Sequence, residues 1–170
     1  MTTTPSPTSP RPATSGPADT RYLRPGRFTR RVMNPAVAFL TRRGMSVKGT
    51  RILEVRGRRS GQPRQTVVNL LGLDGERYLV APRGRTQWVA NVRAAGDATL
   101  RLGRRQEHVR LVELDDAELD DMGKVPVLRS YLEQWAWEVG AFFEGVDAGS
   151  SDDELAAIAP SFPVFRIVAA

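Results

Sequence analysis

Apolar and polar positions alternate in short runs between residues 50 and 114, and glycine, proline and aspartate break the runs. Thr50 to Gly57 (TRILEVRG) reads as a strand, and SGQPR punctuates it as a turn. Gln65 to Leu73 reads as a second strand. Asp74-Gly75 is a hairpin signal, and Arg77 to Ala81 is a third strand. Thr86 to Ala95, stopped by Gly96, has the period of a short helix. Thr99 to Leu102 and His108 to Leu114 form another hairpin across Gly103. Pro163 to Val168 (PVFRIV) reads as a closing strand.

Helical spacing returns on both sides of this region. Residues 28–43 place Phe28, Val32, Met33, Ala36, Phe39 and Leu40 on one face. That segment reads either as a helix capping a core or as a basic amphipathic helix touching a membrane or a cofactor. From Asp115 the chain turns acidic, and Asp115, Asp116, Glu118, Asp120 and Asp121 suit a helix start. An apolar stripe of Leu128, Tyr131, Leu132, Trp135 and Phe142 follows, and Ser151 to Glu154 open one more short helix.

Six short strands with hairpin spacing and few long crossovers disfavour a doubly wound sheet. They predict a mainly β (α+β) fold, a six-stranded antiparallel barrel with peripheral helices. Residues 1–20 are Thr, Ser, Pro, Ala and Gly with little to bury, and read as a disordered tail. Residues 21–170 then form one domain. No apolar stretch reaches the ~20 residues of a membrane span. The start of the chain lacks the apolar core of a secretory signal, so a cytoplasmic protein is expected, with peripheral membrane contact through residues 28–43 as the alternative.

Charge changes this picture by locating a ligand. Residues 21–110 carry 21 Lys or Arg against 5 Asp or Glu, whereas residues 111–170 carry 3 against 13. The positive field belongs to the strand region, so an anionic ligand is expected there. The chain has no cysteine and one histidine, His108. Those counts exclude disulfides, thiolate metal sites and a cysteine nucleophile, and leave no histidine-rich metal site. His108 reads as an ordinary strand residue.

Two arginine-and-glycine turns carry the candidate chemistry. In the first, Gly57 and Gly61 permit unusual backbone angles, Arg58, Arg59 and Arg64 offer planar donors, and Ser60 adds a hydroxyl. Taken alone it reads either as a solvated hairpin turn or as an anion cradle. It is neither a Walker loop nor a dinucleotide fingerprint. The second turn, Ala81-Pro82-Arg83-Gly84-Arg85, ends the third strand. Antiparallel pairing brings it to the barrel end that holds the first. The helix opening at Thr86-Gln87-Trp88 adds its positive end. Trp88 is either a flat surface for a ring system or a core anchor. Asn91 bonds either a cofactor or a nearby strand end.

The linked set RGRRSGQPR, YLVAPRGR and TQWVANVRAAG resembles the deazaflavin-dependent nitroreductase family of actinobacteria, over roughly residues 50–112. The resemblance implies an FMN-binding-like split β-barrel oxidoreductase that uses coenzyme F420. By position it implies that Arg58, Arg59 and Ser60, with Arg64, Gln65, Thr66, Val67, Val68 and Asn69, form the first cofactor-binding turn and strand. It implies that Val80, Ala81, Pro82 and Arg83 hold the phosphate-bearing tail. Gln87, Trp88, Val89, Ala90 and Asn91 would then lie along the deazaflavin ring. Tyr131 is the nearest match to a tyrosine beside the substrate, the one catalytic candidate. The chain departs from the commoner pattern at Arg85, where a second glycine is usual, and in a shorter connection from Gly84 to Trp88.

The resemblance further implies hydride transfer to an electron-poor acceptor, a quinone, nitroaromatic or enone. Such a small hydrophobic acceptor suits a pocket of Trp88, Tyr131, Trp135 and Phe142. The alternatives are an FMN-binding barrel using the same arginines, a basic nucleic-acid-binding barrel and a barrel that holds an anion without turnover. Nucleic acid is disfavoured because the basic region is poor in stacking aromatics. Both a monomer and a homodimer fit the sequence.

Overall fold

Period-two alternation sends every second side chain of six strands toward one axis, and the sheet closes on itself. The computed structural model describes residues 49–115, 123–143 and 145–170. The expected helix over 28–43, the tail over 1–20 and Asp116, Glu118, Asp120 and Asp121 lie outside the described residues. The strands are β1 (Thr50–Arg56), β2 (Pro63–Leu73), β3 (Glu76–Val80), β4 (Asp97–Leu102), β5 (Arg105–Glu113) and β6 (Val164–Ala169). Their order around the barrel is β1-β2-β3-β6-β5-β4, antiparallel throughout and closed by β1 against β4.

The expected strands are present with shifted ends. β2 starts at Pro63, two residues before Gln65, opposite Arg56. A proline is tolerated there because it opens a strand. β5 starts at Arg105, since Arg105 and Gln106 pair with Leu102 and Arg101 through the backbone despite exposed side chains. The Asp74-Gly75 hairpin forms as read: both residues take positive φ, 50° and 80°. That backbone twist matches the flanking strands.

Three helices accompany the barrel among the described residues: α1 (Gln87–Ala95), α2 (Lys124–Val139) and α3 (Asp152–Ile158). Gly96, at φ 75°, stops α1 and donates its N–H to the Val92 carbonyl. Pro126 falls in the first turn of α2, where a helix has no use for the missing N–H. Ser151 and Glu154 start α3 with a reciprocal capping box. None of these helices is long and apolar enough to cross a membrane.

Two cores result. Inside the barrel, Leu53, Val68, Leu79, Leu100, Val109, Phe165 and Ile167 meet Val89 and Val92 of α1. Helix α1 therefore plugs one end of the barrel with its apolar face. Outside, Leu71, Tyr78, Val80 and Val164 pack against Leu128, Tyr131, Leu132 and Trp135 of α2 and Leu155 of α3. At the end opposite α1, alternation points Arg77 and Glu107 the same way as Leu79 and Val109. They form a two-pronged ion pair at 2.6 and 2.8 Å. The Arg77 hydrogen bonds hold the Glu107 carboxyl below the usual carboxylate range. With the lumen filled and both ends covered, a ligand as large as a nucleotide has the rim and the outer face to bind.

Candidate functional site

The first arginine turn is tight because its backbone bonds itself. Gly57 donates to the Gln62 carbonyl at 2.9 Å, and Gly61 donates to the Gly57 carbonyl at 2.8 Å. A side chain at Gly57 would meet Ser60 Oγ at 3.0 Å and the Gln62 carbonyl at 3.1 Å. Gly61 takes φ 66°, which an L side chain rarely adopts. The closed turn leaves Arg58, Arg59, Ser60 and Arg64 exposed. Ser60 Oγ is only loosely held, by Arg64 at 3.5 Å and the Gln62 amide at 3.4 Å.

The second turn is tied to the barrel wall by Ala81, whose N–H donates to the Pro163 carbonyl at 2.9 Å. Gly84, at φ 69°, bends the chain directly into α1. The Arg83 guanidinium lies 5.6 Å from the centre of the Phe142 ring. This joins the turn to the short 3-10 segment after α2.

Side chains fasten the two turns to one another through α1. Arg58 Nη1 donates to Gln87 Oε1 at 3.1 Å and to Asn91 Oδ1 at 3.0 Å, and the Arg58 backbone N–H donates to the same Asn91 oxygen at 3.3 Å. Gln87 is the first residue of α1 and follows the second turn by one residue. The arginine turns therefore occupy one end of the barrel. On the far side of α1, Arg93 grips Glu113 of β5 with two bonds of 2.6 and 2.7 Å.

The charges sort by location. Arg77, Arg93, Arg101 and Arg129 are each paired with a carboxylate. Among the described residues no carboxylate partners Arg58, Arg59, Arg64 or Arg85. Four unneutralised guanidinium groups beside a helix N-terminus create a positive potential that a dianionic group would quench.

Thr86, absent from the expected site residues, stands between the second turn and α1. It is the N-cap of α1, yet its hydroxyl does not cap the helix. Thr86 Oγ1 is buried and has no hydrogen-bond partner. The sequence holds no signal for this: Val89, three positions on, keeps the backbone N–H from which an N-cap hydroxyl accepts, and only the structure shows the bond unmade.

The remaining expected site residues divide by burial. Val68, Ala81 and Val89 are in the barrel interior, and Val80 is in the outer core. Their side chains are committed to packing, so these positions can offer only backbone to a ligand. Gln65 is exposed and donates to Glu54 at 2.6 Å. Thr66, Val67, Asn69, Pro82, Trp88 and Ala90 are half-buried. Trp88 meets Phe165 in a tilted contact, ring centres 5.6 Å and planes 54° apart.

Of the four aromatics expected to share a pocket, Tyr131, Trp135 and Phe142 gather at the outer core, and Trp88 does not join them. Trp88 packs at the edge of the inner core, Phe142 sits by Arg83, and Tyr131 and Trp135 pack as a pair 4.9 Å apart. Helix α2 packs outside the barrel, so Tyr131, Trp135 and Phe142 belong to the outer core and Trp88 to the edge of the inner one. Tyr131 is 2% exposed. Burial, above all, raises its pKa, while a hydrogen bond with Asn69 works the other way. Asn69 in turn reaches Glu138 at 3.5 Å.

A shallow groove of about 240 Å³ lies on the other side of the first turn, lined by Glu54, Arg56, Asp97, Thr99 and His108 among others. Its polar groups already bond one another: Arg101 and Gln65 hold Glu54, and Asp97 and Thr99 flank His108. No cluster of His, Asp or Glu among the described residues could hold a metal ion.

A family described as F420H(2)-dependent quinone reductase matches residues 28–134. Among solved structures, an F420-H2 dependent reductase (FDR-A) is 16% identical, covers 74% of this chain and 100% of its own, and superposes with a TM-score of 0.47. A chain described as a domain-swapped dimer is 14% identical, with 79% and 95% covered and a TM-score of 0.49. A putative pyridoxamine 5′-phosphate oxidase from Listeria innocua is 16% identical, with 71% and 82% covered and a TM-score of 0.42. No curated protein matches. The assignment rests on the family match, which spans more than half of the chain and selects F420 over FMN. The chain belongs to the F420H2-dependent quinone reductase family, and is an oxidoreductase whose cofactor is coenzyme F420.

Proposed function

We propose that this reductase passes a hydride from F420H2 to a quinone, with the acidic part of the cofactor lying across the two arginine turns at the start of α1. The observation that carries this reading is the set of bonds from Arg58 to Gln87 and Asn91, which draws both cationic turns to one place. The residues present fit the cofactor. Arg59, Ser60, Arg64, Arg83 and the N–H groups opening α1 match a phosphate and its carboxylate-bearing tail. The orphaned Thr86 hydroxyl gains a partner if an anionic oxygen arrives.

When bound, the cofactor supplies the hydride. The chain's own task is to orient and to manage a proton. The half-buried Trp88 gives a flat surface at the rim, and its contact with Phe165 fixes the ring plane. A quinone takes one hydride and one proton to become the hydroquinone. Tyr131 is the candidate for holding that proton, since burial keeps its phenol neutral and Asn69 fixes its hydroxyl; the quinone then lies toward the outer core, on the side of Phe142 and Arg83, rather than against Trp88. Cytoplasmic placement, with residues 28–43 touching a membrane where a lipid-soluble quinone resides, is part of the proposal. Sedimentation with anionic vesicles tests it, and protein that stays in the supernatant contradicts the contact.

Tyr131→Phe keeps the ring and removes the hydroxyl. Turnover with menadione is expected to fall about 100-fold, the usual weight of a positioned general acid, with F420 affinity unchanged. Unchanged turnover would transfer the proton to solvent. The same variant has a pH signature in stability. The folded phenol's pKa lies above the ordinary 10.0, so folding is undisturbed below pH 10.0 and weakens as pH rises toward the folded value. Tyr131→Phe should blunt that alkaline loss in urea titrations.

Thr86→Val separates ligand binding from stability. The hydroxyl has no partner to lose, so the melting temperature should hold or rise slightly. F420 affinity should fall by at least about tenfold, the weight of one hydrogen bond to an anion. Equal affinity in fluorescence titrations would remove Thr86 from the site.

A further inference from the structure

We infer that Arg58 and Asn91 are positioning residues, a clasp that sets the first arginine turn on α1, rather than independent ligands of the cofactor; this rests on the site proposed above. Asn91 is a buried carboxamide, 6% exposed, on the flank of a helix that plugs a barrel. A buried polar group costs free energy unless it is bonded. Asn91 Oδ1 meets that need with two donors from one residue, the Arg58 backbone N–H at 3.3 Å and Arg58 Nη1 at 3.0 Å. The same Nη1 also donates to Gln87 Oε1 at 3.1 Å. Gln87 and Asn91 stand four apart on α1, so both face the same way and share the guanidinium.

This arrangement divides the labour among the arginines. Arg58 has its Nη1 saturated and its backbone N–H engaged. Its neighbour Arg59 has no partner among the described residues, and Arg64 reaches only Ser60 Oγ, at 3.5 Å. The clasp therefore sets where Arg59, Ser60 and Arg64 stand relative to Arg83 and Thr86 across α1. Without it, the turn still closes through its Gly57–Gln62 and Gly61–Gly57 bonds but can tilt as a unit away from the helix. Preorganised donors lose less entropy when an anion binds, so releasing the clasp should cost affinity without removing any ligand.

A double-mutant cycle on F420 affinity tests this, with amide hydrogen exchange on the ligand-free protein as a second readout. Arg58→Ala and Asn91→Ala should each weaken F420 binding about tenfold, and the double variant should be no weaker than either single. In ligand-free Asn91→Ala the Arg58 amide should exchange faster, and Asn91→Asp, which keeps the acceptor oxygen, should restore its protection. Losses that multiply to about 100-fold would mean that the two residues meet the cofactor separately, and would overturn the clasp. Unchanged exchange at Arg58 in Asn91→Ala would overturn it as well. Wild-type protein that binds no F420 would instead sink the site reading, while the exchange experiment still decides whether the clasp exists. If Asn91→Ala does not fold, Gln87→Ala, at an exposed position, enters the same cycle.

Discussion

Replacing Arg59 and Arg64 together by alanine is expected to weaken F420 binding by at least about 100-fold. Each guanidinium can give a charge-assisted bond to the acidic part of the cofactor, and such bonds contribute about 1.5–3 kcal/mol each. Two of them amount to two decades in affinity at about 1.4 kcal/mol per decade. Neither residue holds a carboxylate among the described residues, so their removal breaks no ion pair and the fold should be untouched. Raising the salt concentration should weaken wild-type binding more steeply than that of the double variant, because two of the screened charges are then absent. Lysine at both positions should restore only part of the loss, since an ammonium lacks the planar fork. Arg104→Ala, at the β4–β5 turn on the opposite end of the barrel, is the control and should bind as the wild type does. Equal losses at Arg104 would mean that net charge, not this site, attracts the cofactor.

The second large effect concerns stability. Trp135→Ala is expected to cost about 3–5 kcal/mol, the range for deleting a large buried aromatic. Trp135 is 1% exposed between α2 and the barrel wall and packs against Tyr131. It also sits where the chain enters β1, since a side chain at Gly49 would lie 3.4 Å from the Trp135 ring. Its loss removes the central contact of the outer core. The melting temperature should drop on the order of 10 °C, and turnover should fall with it as Tyr131 loses its support. A cost below about 1 kcal/mol would show that α2 is not held by this contact.

Much of the fold could be read from the sequence, because alternation is a local property. Strands near Leu53, Leu79, Leu100 and Phe165 show the period-two pattern, and the Asp74-Gly75 turn has a residue-level cause in its positive φ. Strand ends were less legible where polar residues kept pairing, as at Arg105 and Gln106. Both arginine turns were visible as sequence, and antiparallel pairing gave their common end. Their fastening was not, because Arg58 and Asn91 are 33 residues apart and only the plugged barrel brings them together. The Arg77–Glu107 pair at the opposite end has the same origin. Trp88 fell outside the expected aromatic pocket for a related reason. Spacing alone cannot tell which side of a barrel wall a helix will cover, and α2 lies outside while Trp88 sits at the inner rim.

The most direct test is one titration on one preparation. Ligand-free protein is mixed in turn with F420, FMN and NADPH while Trp fluorescence is followed. Saturation by F420 at micromolar concentration is expected, weakened by added phosphate, with FMN and NADPH binding at least about tenfold more weakly. Tighter binding of FMN, or F420 binding that survives loss of both Arg59 and Arg64, would contradict a deazaflavin held by these two cationic turns.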